Sequence, residues 1–220
     1  MNSPHPQSQA SEDRFAALWL RVTSGDEPAL ACYERLQAAW QAPARAYHNW
    51  RHLEECLSEF DAVRDSFSSC RLDEVELALW FHDAIYDPHA ADNEEQSAEL
   101  AVRLLRSAGA ADELISRVAD LILATQAHQA TPDTSTELLL DIDLSILGKG
   151  PTRFWEYEAQ IREEYAWVPR EVYAEKRCEI LQRFLDRERV YLTEPFFEKY
   201  EASMRFNLAV AIEKLLAAPS

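Results

Sequence analysis

The stretch ALWFHDAIYD, residues Ala78 to Asp87, places a His–Asp pair directly after one of the most apolar runs of the chain. The apolar run predicts a buried helix over about Leu72–Phe81. A carboxylate beside an imidazole at the end of a buried helix is costly unless its charge is compensated, and a metal ion is the usual compensator. We therefore predict that His82 and Asp83 bind a metal ion at the end of this helix.

Length and composition predict one compact helical domain. The chain has 220 residues, only 4 Gly and 47% hydrophobic residues, and its many Ala, Leu, Glu and Arg residues favour helix over strand. We expect an all-α fold, with residues 1–11 as a disordered start and residues 12–220 as a single domain. The metal-site core is expected over about 45–148, followed by C-terminal helices over 151–217.

The charge balance limits the partners. The formal net charge is −17, which repels polyanions, so no long nucleic acid is expected to bind. A local site with a metal ion and arginine side chains still admits a small phosphorylated ligand. The four cysteines are scattered without a CxxC pair, which indicates neither a thiolate metal site nor a disulfide framework. With no segment long enough to span a membrane, we expect a soluble cytoplasmic protein without a membrane partner.

The segment YHNWRH, Tyr47 to His52, is predicted to open a helix. On a helix, His48 and His52 are four residues apart and project from one face about one turn apart. If one of them binds a metal ion, the other is held nearby, where an acid or base is needed. The alternative is that His48 caps the helix or faces solvent while His52 borders the core. These two histidines alone favour that alternative.

The segment ELLLDIDLSILG, Glu137 to Gly148, predicts a very apolar helix that carries two acids. Its periodicity places Asp143 on the buried face and Asp141 on another face. A buried, unpaired carboxylate normally becomes neutral through a raised pKa, whereas opposite a metal cation it stays ionised. Asp143 is therefore the fourth predicted ligand, and Asp141 is a candidate to orient water.

The four predicted ligands form the pattern H…HD…D. His82 follows His52 by 30 residues, and Asp143 follows Asp83 by 60. Two imidazoles and two carboxylates suit a divalent ion such as Mn, Fe, Ni, Co, Zn or Mg, with positions left open for water. The joint pattern is far more specific than any of its parts.

Three further side chains are candidates around this centre. Asp87 follows Asp83 by four residues and can lie close enough to orient water. Glu95 stands in the first turn of the next predicted helix, where it orients water, contacts substrate or simply complements the helix dipole. His128 belongs to the loop TQAHQATPD, where a histidine is as readily solvated as it contacts substrate phosphate or a second metal ion.

An anionic substrate needs local cations next to so acidic a protein. Arg51 and Arg177 are the first choices for a phosphate contact, because a planar guanidinium matches phosphate better than a point charge does. Most other basic side chains are expected to be ordinary surface charges.

Taken together, these segments resemble the HD superfamily of metal-dependent phosphohydrolases. The likeness covers the chain from about Glu12 and is greatest for the bacterial, largely uncharacterised branch of that superfamily. YHNWRH is also similar to the YHNxxH motif of the cyclic nucleotide phosphodiesterases. The motifs that carry the resemblance are YHNWRH, FHDAIYDPHAADNEEQSAELA, LILATQAH, LLLDIDLSILG, EEYAWVP and RFLDRERVYLT.

The resemblance implies an HD-domain-like helical bundle that hydrolyses a phosphate ester or anhydride of a small molecule, with a nucleotide as the expected class. In the phosphodiesterase motif the second histidine binds metal and the first is the general acid, which implies these roles for His52 and His48. The water activated by the ion would attack phosphorus, and His48 would protonate the leaving oxygen.

Two interpretations from other classes stay open. A helical scaffold with His and Asp ligands can hold a di-iron site for oxygen chemistry, in which His128 and Glu95 complete a second iron. Alternatively, the site is a catalytically silent module that senses a metal ion or a nucleotide, since a fold alone does not establish catalysis. The sequence also leaves open a homo-oligomer.

Overall fold

The computed structural model describes residues 6–25 and 28–217. Within these residues the chain forms ten α-helices and no strand, which confirms the predicted all-α class. The helices are α1 Pro6–Val22, α2 Ala29–Trp40, α3 Trp50–Val63, α4 Leu72–Phe81, α5 Asn93–Ser107, α6 Asp112–Ala124, α7 Thr134–Asp143, α8 Pro151–Glu164, α9 Arg170–Leu185 and α10 Glu194–Ala217.

Helix α4 is the centre of the fold and spans the predicted Leu72–Phe81. Every residue from Glu74 to Phe81 is buried, because α1, α3, α5, α6 and α7 all pack around this helix. On one side Trp80 meets the ring of Phe15 edge-on, with 5.1 Å between the ring centroids. A helix enclosed on every side is held rigidly, and it ends at the His–Asp pair.

The N-terminal boundary corrects one prediction. Residues 1–11 were expected to be disordered, but α1 begins at Pro6, and residues 1–5 lie outside the described part of the chain. Phe15 and Trp19 anchor the later turns of α1 in the core. Once these turns are fixed, each additional helical residue adds a backbone hydrogen bond at little further cost.

The predicted helix over Glu137–Gly148 is also divided. Helix α7 ends at Asp143, and residues Leu144–Gly148 form a tighter 3₁₀ turn. This turn packs against α10. A Cβ atom added to Gly148 would lie 2.5 Å from the Cβ atom of Tyr200, so only glycine allows this approach.

The last three helices pack around the turn that follows α7, with α8 and α10 in contact with this turn and α9 in contact with α10. Helix α10 packs against α9 and against the turn that follows α7, while α8 begins with a Pro in its first turn, as a helix start favours. In the described part of the chain, none of the helices joins enough length with enough apolar character to cross a bilayer.

Candidate metal centre

The His–Asp pair lies where α4 ends. His82 is the C-terminal cap of α4, retains helical backbone angles and is 1% exposed. Its Nδ1 atom lies 2.9 Å from the carbonyl oxygen of Leu79 and donates to it, so the lone pair of the neutral ring lies on Nε2. The Oδ2 atom of Asp83 is 3.3 Å from that Nε2 atom. The end of α4 therefore presents one nitrogen and one oxygen at a single point.

Helix α3 brings the second histidine to the same point. His52 is 2% exposed, and its Nδ1 atom lies 3.0 Å from the hydroxyl of Tyr47. Its Nε2 atom is 3.3 Å from the Nε2 atom of His82 and 3.9 Å from Oδ2 of Asp83. A hydrogen bond at the far ring nitrogen is the usual way in which a protein orients a metal-binding histidine.

Asp143 completes the cluster from the last residue of α7. Its Oδ1 atom lies 3.1 Å from Nε2 of His52 and 3.6 Å from Nε2 of His82. Burial raises the pKa of the Asp143 carboxyl, but hydrogen bonds with three histidines, His128 first, outweigh burial and hold the pKa well below its usual range. This carboxylate is ionised and available as a ligand.

The geometry fits a divalent ion. Ligand atoms bound at about 2.1 Å from a metal lie about 3.0 to 3.4 Å apart at right or tetrahedral angles. The distances from the Nε2 atoms of His52 and His82 to each other and to the carboxylates of Asp83 and Asp143 run from 3.1 Å to 3.9 Å. In the described part of the chain, no Lys or Arg side chain pairs with Asp83 or Asp143. The side chains of His52, His82 and Asp83 thus form a group that could hold a metal ion, as do His52, Cys56 and Asp143.

Cys56 is a member of the cluster that the sequence analysis did not identify. It lies one helical turn after His52, is 1% exposed, and places its Sγ atom 3.7 Å from Nδ1 of His52. Burial raises the pKa of this thiol well above its usual value, and the nearby carboxylates of Asp143 and Asp83 raise it further. The thiol is therefore protonated unless an ion displaces its proton.

His48 stands beside the cluster, but not on the same helix as His52. The prediction that both project from one helix face is wrong, because α3 begins only at Trp50 and Asn49 caps it by accepting a hydrogen bond from the backbone N–H of Arg51 at 2.9 Å. His48 occupies the turn before this cap. Its ring centroid is still only 6.1 Å from that of His52.

Glu164 fixes the position of His48 and was missed by the sequence analysis. The His48 Nδ1 atom donates to Oε2 of Glu164 at 2.7 Å, and Oε1 of Glu164 accepts from the backbone N–H groups of Tyr47 and His48. The Tyr86 hydroxyl donates to Oε2 at 2.8 Å, and the Tyr86 ring stacks on the His48 ring with 4.1 Å between centroids. Glu164 thus holds the edge of the His48 imidazole at Nδ1, and the Tyr86 ring covers one face of it.

The charges around His48 favour its protonated form. Burial alone raises the pKa of Glu164, but the hydrogen bond and charge of His48 and the two backbone donors lower it to about 2. Burial lowers the pKa of His48, while the hydrogen bond to Glu164 and the charges of Asp83, Glu164 and Asp143 raise it above the ordinary 6.5. Because the Glu164 carboxylate is ionised, the proton on Nδ1 is shared with it, and Nε2 is the nitrogen that can release a proton.

Asp141 is not at the cluster, which corrects two predictions. It was expected on a different face from the buried one and as a candidate to orient water, yet it is 0% exposed. Its Oδ1 atom accepts from the backbone N–H of Leu192, and its Oδ2 atom accepts from the backbone N–H and the hydroxyl of Thr193, all within 2.7 Å. Burial raises the pKa of Asp141 to about 6 despite these donors. Both oxygens are committed to the start of α10.

Asp87 and Arg51 also have partners other than the cluster. Asp87 is exposed, and its Oδ1 atom accepts from the backbone N–H of His89 at 2.9 Å, which shapes the loop before α5. The Arg51 guanidinium pairs with Glu156 at 2.5 Å and with Glu55 at 3.2 Å. Asp87, which was predicted to orient water, and Arg51, which was predicted to contact phosphate, are thus engaged by other partners.

Of the two acids in the first turn of α5, the structure favours Glu94, whose carboxyl is affected by the charge of Asp83, over Glu95, the residue that the sequence predicted. Glu95 is exposed and accepts a hydrogen bond from Gln126 at 2.9 Å. Burial raises the pKa of the half-buried Glu94, the negative charges of Asp83 and Glu95 raise it further, and His128 lowers it. Glu94 is therefore the acid of this turn that shares the electrostatic environment of the cluster.

His128 reaches the cluster from the loop after α6. Its Nε2 atom lies 2.9 Å from Oδ2 of Asp143, and its φ of 46° is in the left-handed region. The guanidinium of Arg187 donates to the carbonyl oxygens of His128 at 2.5 Å and Ala127 at 3.4 Å. An unfavourable backbone conformation held by such contacts is typical of a functional position.

A cavity of about 540 Å³ opens beside the cluster. His48, His128 and Asp143 line its inner wall, and Arg183 and Arg187 line the side formed by α9 and the residues after it. Arg177 also lines the cavity, but its guanidinium is occupied by the Glu158 carboxylate at 2.5 Å and the Tyr157 hydroxyl at 2.8 Å. The cavity joins the candidate metal centre to a basic wall that the sequence did not predict.

Comparisons with family models, with curated proteins and with solved structures find no match for this chain. The function is therefore inferred from the site itself.

Proposed function

We propose that this protein is a metal-dependent hydrolase that cleaves a phosphate ester or anhydride of a small molecule, with a nucleotide as the expected class. One observation carries the proposal: a metal-binding cluster and a carboxylate-held histidine line the same cavity. Asp143 of the cluster and His48 both contribute to its wall.

A divalent ion bound by His52, His82, Asp83 and Asp143 would supply Lewis acidity and lower the pKa of a bound water. The two carboxylates offset the charge of the ion, and the apolar surroundings of α4 keep the ligands in place. Cys56 adds a soft donor beside His52, which favours Zn, Co or Fe over Mg among the candidate ions.

His48 is the residue we assign to proton transfer. Its Nδ1 atom is held by Glu164 at 2.7 Å, so Nε2 is the atom that donates a proton to the leaving oxygen. Against the effect of burial, the hydrogen bond to Glu164 and the nearby carboxylates raise the pKa of His48, which favours the protonated form that an acid catalyst needs. Glu164 acts through His48 and is a positioning residue.

Arg187 and Arg183 are the cations that suit the substrate phosphate. Both line the cavity beside the cluster, and in the described part of the chain Arg187 has no carboxylate partner. The Arg183 side chain is 74% exposed, and its guanidinium pairs only loosely with a carboxylate, that of Glu179 at 4.0 Å. These side chains replace Arg51 and Arg177 in the predicted role, since a guanidinium already paired with a carboxylate is poorly available to phosphate.

The proposal includes a cytoplasmic location. The thiols of Cys56, Cys70 and Cys178 form no disulfide among the described residues, which suits a reducing compartment.

The decisive experiment combines elemental analysis with a phosphate-release assay. We expect about one divalent ion per chain and phosphate release from a panel of nucleotides with Mn, Co, Ni, Zn or Mg added. His82→Ala should lose metal and activity together, while His48→Ala should keep the metal and lose activity. His89→Ala is the matched control for metal content, because His89 is exposed and outside the cluster. Normal turnover by both His82→Ala and His48→Ala would contradict the proposal.

A second candidate function, di-iron oxygen chemistry, is supported by the contacts that both carboxylate oxygens of Asp143 make with histidines. Its Oδ1 atom faces His52 and His82, while its Oδ2 atom faces His128. A carboxylate with both oxygens directed at imidazoles is suited to bridging two ions. Two irons per chain, a visible absorption band and no phosphate release would favour a di-iron oxygenase, whereas tight nucleotide binding without turnover would favour a sensor.

A further inference from the structure

A second cavity of about 380 Å³ is lined by His48 but by none of the four predicted ligands. Its walls come from α8, from α9 and from the segment that connects these helices. Aromatic side chains dominate the lining, together with aliphatic side chains. The aromatic lining residues besides His48 are Tyr157, Tyr165, Trp167 and Tyr173, and the aliphatic residues are Ile161, Val168 and Ile180.

This second cavity adjoins the first one. His48, Tyr157, Arg177 and Ile180 line both cavities. A molecule whose phosphate lies beside Asp143 in the first cavity can therefore extend past His48 into the second.

Tyr173 offers an unused hydrogen-bond donor in this lining. It is 8% exposed, and its hydroxyl has no hydrogen-bond partner among the described residues. Leaving a buried hydroxyl unpaired is unfavourable, and such a group commonly marks a place where a ligand binds. The Arg162 guanidinium lies 4.6 Å from the centroid of the Tyr173 ring and holds that ring in place.

The cationic side chains of the lining are paired with carboxylates outside it, and His48 pairs with Glu164 at 2.7 Å. Lys176 pairs with Glu179 at 3.0 Å, Arg177 pairs with Glu158 at 2.5 Å, and none of the described lining residues is acidic. An anionic group would have to compete with these carboxylates for the same cations, whereas a neutral group with a flat surface would find aromatic rings. Trp167, 53% exposed, is stacked on His89 with 4.3 Å between centroids, which fixes the orientation of its indole.

We propose that this second cavity is the subsite for a neutral, planar heteroaromatic ring of the substrate, that Trp167 stacks on the ring, and that the Tyr173 hydroxyl donates a hydrogen bond to a ring acceptor atom. The assignment rests on the proposed phosphohydrolase function and deepens it. The substrate is then a phosphorylated molecule with a ring at one end. The ring remains in the aromatic cavity while the phosphate lies between His48, Arg187 and the metal cluster.

The test measures ring binding without any reaction. Adenosine, guanosine, cytidine and uridine, which carry rings but no phosphate, are titrated into the full-length protein and followed by calorimetry. At least one nucleoside should bind with one site per chain. Tyr173→Phe removes only the unpaired oxygen and should weaken this binding about 3- to 10-fold. Trp167→Ala should weaken it about tenfold.

Phe206→Ala is the matched control for removal of an exposed aromatic side chain. Phe206 lies on α10, is 66% exposed and is absent from the lining of both cavities. It should bind the nucleoside like the wild type. The unfolding midpoint of each variant is measured first, so that a loss of binding is attributed only to a folded protein.

The outcomes separate the subsite from the reaction. If none of the nucleosides binds the folded wild type, or if binding is equal in wild type, Tyr173→Phe and Trp167→Ala, the subsite assignment is overturned. Phosphate release from ringless tripolyphosphate would in that case leave the hydrolase proposal standing. Nucleoside binding that is weakened by both variants, with no phosphate release under any metal, would support the ring subsite and overturn the hydrolase.

Discussion

The carboxylate of Glu164 lies 2.7 Å from the Nδ1 atom of His48, across 116 residues of sequence. This contact sets the acidity of His48, because the negative charge and the hydrogen bond raise the pKa of the imidazole against the effect of burial. Glu164→Gln removes the charge and should lower the pKa of His48. An acid catalyst works only while protonated, so the alkaline limb of the pH–rate profile should move to lower pH.

Glu163→Gln is the matched control for this experiment. Glu163 is the exposed neighbour of Glu164 on α8, so its neutralisation should leave the pH–rate profile in place. Equal profiles for wild type and Glu164→Gln would show that Glu164 does not act through His48. Metal content should be the same in all three proteins, since Glu164 does not contact the cluster ligands.

The same carboxylate makes the fold sensitive to acid. The pKa of Glu164 is about 2 in the folded protein, against about 4.3 for an unperturbed glutamate. The ionised form therefore stabilises the protein fully above about pH 4.3, and this contribution is lost as the pH falls through about 2. A shift of this size corresponds to about 3 kcal/mol. Denaturant unfolding at a series of pH values should show a steeper acid loss in wild type than in Glu164→Gln.

Metal binding should release protons. In the metal-free protein burial lowers the pKa of His82, but the charges of Asp83 and Asp143 raise it to about 9. An ion can bind Nε2 only after that proton leaves, so metal affinity should weaken as the pH falls below about 9. Zinc titrations by calorimetry in buffers of different ionisation enthalpy will reveal the proton release. An identical heat in every buffer would refute this prediction.

Asp141 and Asp143 should respond differently to substitution by alanine. Asp141→Ala leaves the buried N–H groups of Leu192 and Thr193 without their acceptor, which should cost about 3 kcal/mol of stability. Asp143→Ala should instead remove the metal ion. Unfolding free energies and metal content, measured for both variants, distinguish the roles. Loss of metal from folded Asp141→Ala would contradict the assignment.

Gly148→Ala should destabilise the contact between the turn after α7 and α10. The added Cβ atom would meet the Cβ atom of Tyr200 at 2.5 Å, and overpacking of this kind costs about 1 to 3 kcal/mol. Gly150→Ala is the control, because a Cβ atom added there meets no other atom within 4 Å. Thermal unfolding should therefore show a lower midpoint for Gly148→Ala alone.

Local sequence was sufficient to predict the bounds of α4 and to identify four side chains that lie close together in the structure. The apolar run of α4 is short and bounded, so its limits at Leu72 and Phe81 were predicted correctly. His52, His82, Asp83 and Asp143 come together in the structure because each lies near the end of its helix or on the face turned toward α4. Such positions follow from patterns within a few residues.

The predictions that failed concern residues whose positions depend on contacts with distant parts of the chain. Periodicity assigned Asp141 to an outward face, but α7 is covered on that side by the segment that leads into α10, which supplies the donors for the carboxylate. The cap formed by Asn49 excluded His48 from α3. Glu164 had no local signal, since its partner is 116 residues away.

The ligand positions also determine the order in which the site can form during synthesis. His52, His82 and Asp83 leave the ribosome early, but the cluster lacks its fourth member until the chain has grown past Asp143 at the end of α7. Glu164, which holds His48, emerges only after that, near the end of α8. A nascent chain therefore presents all four predicted ligand residues before Glu164 is available to hold His48.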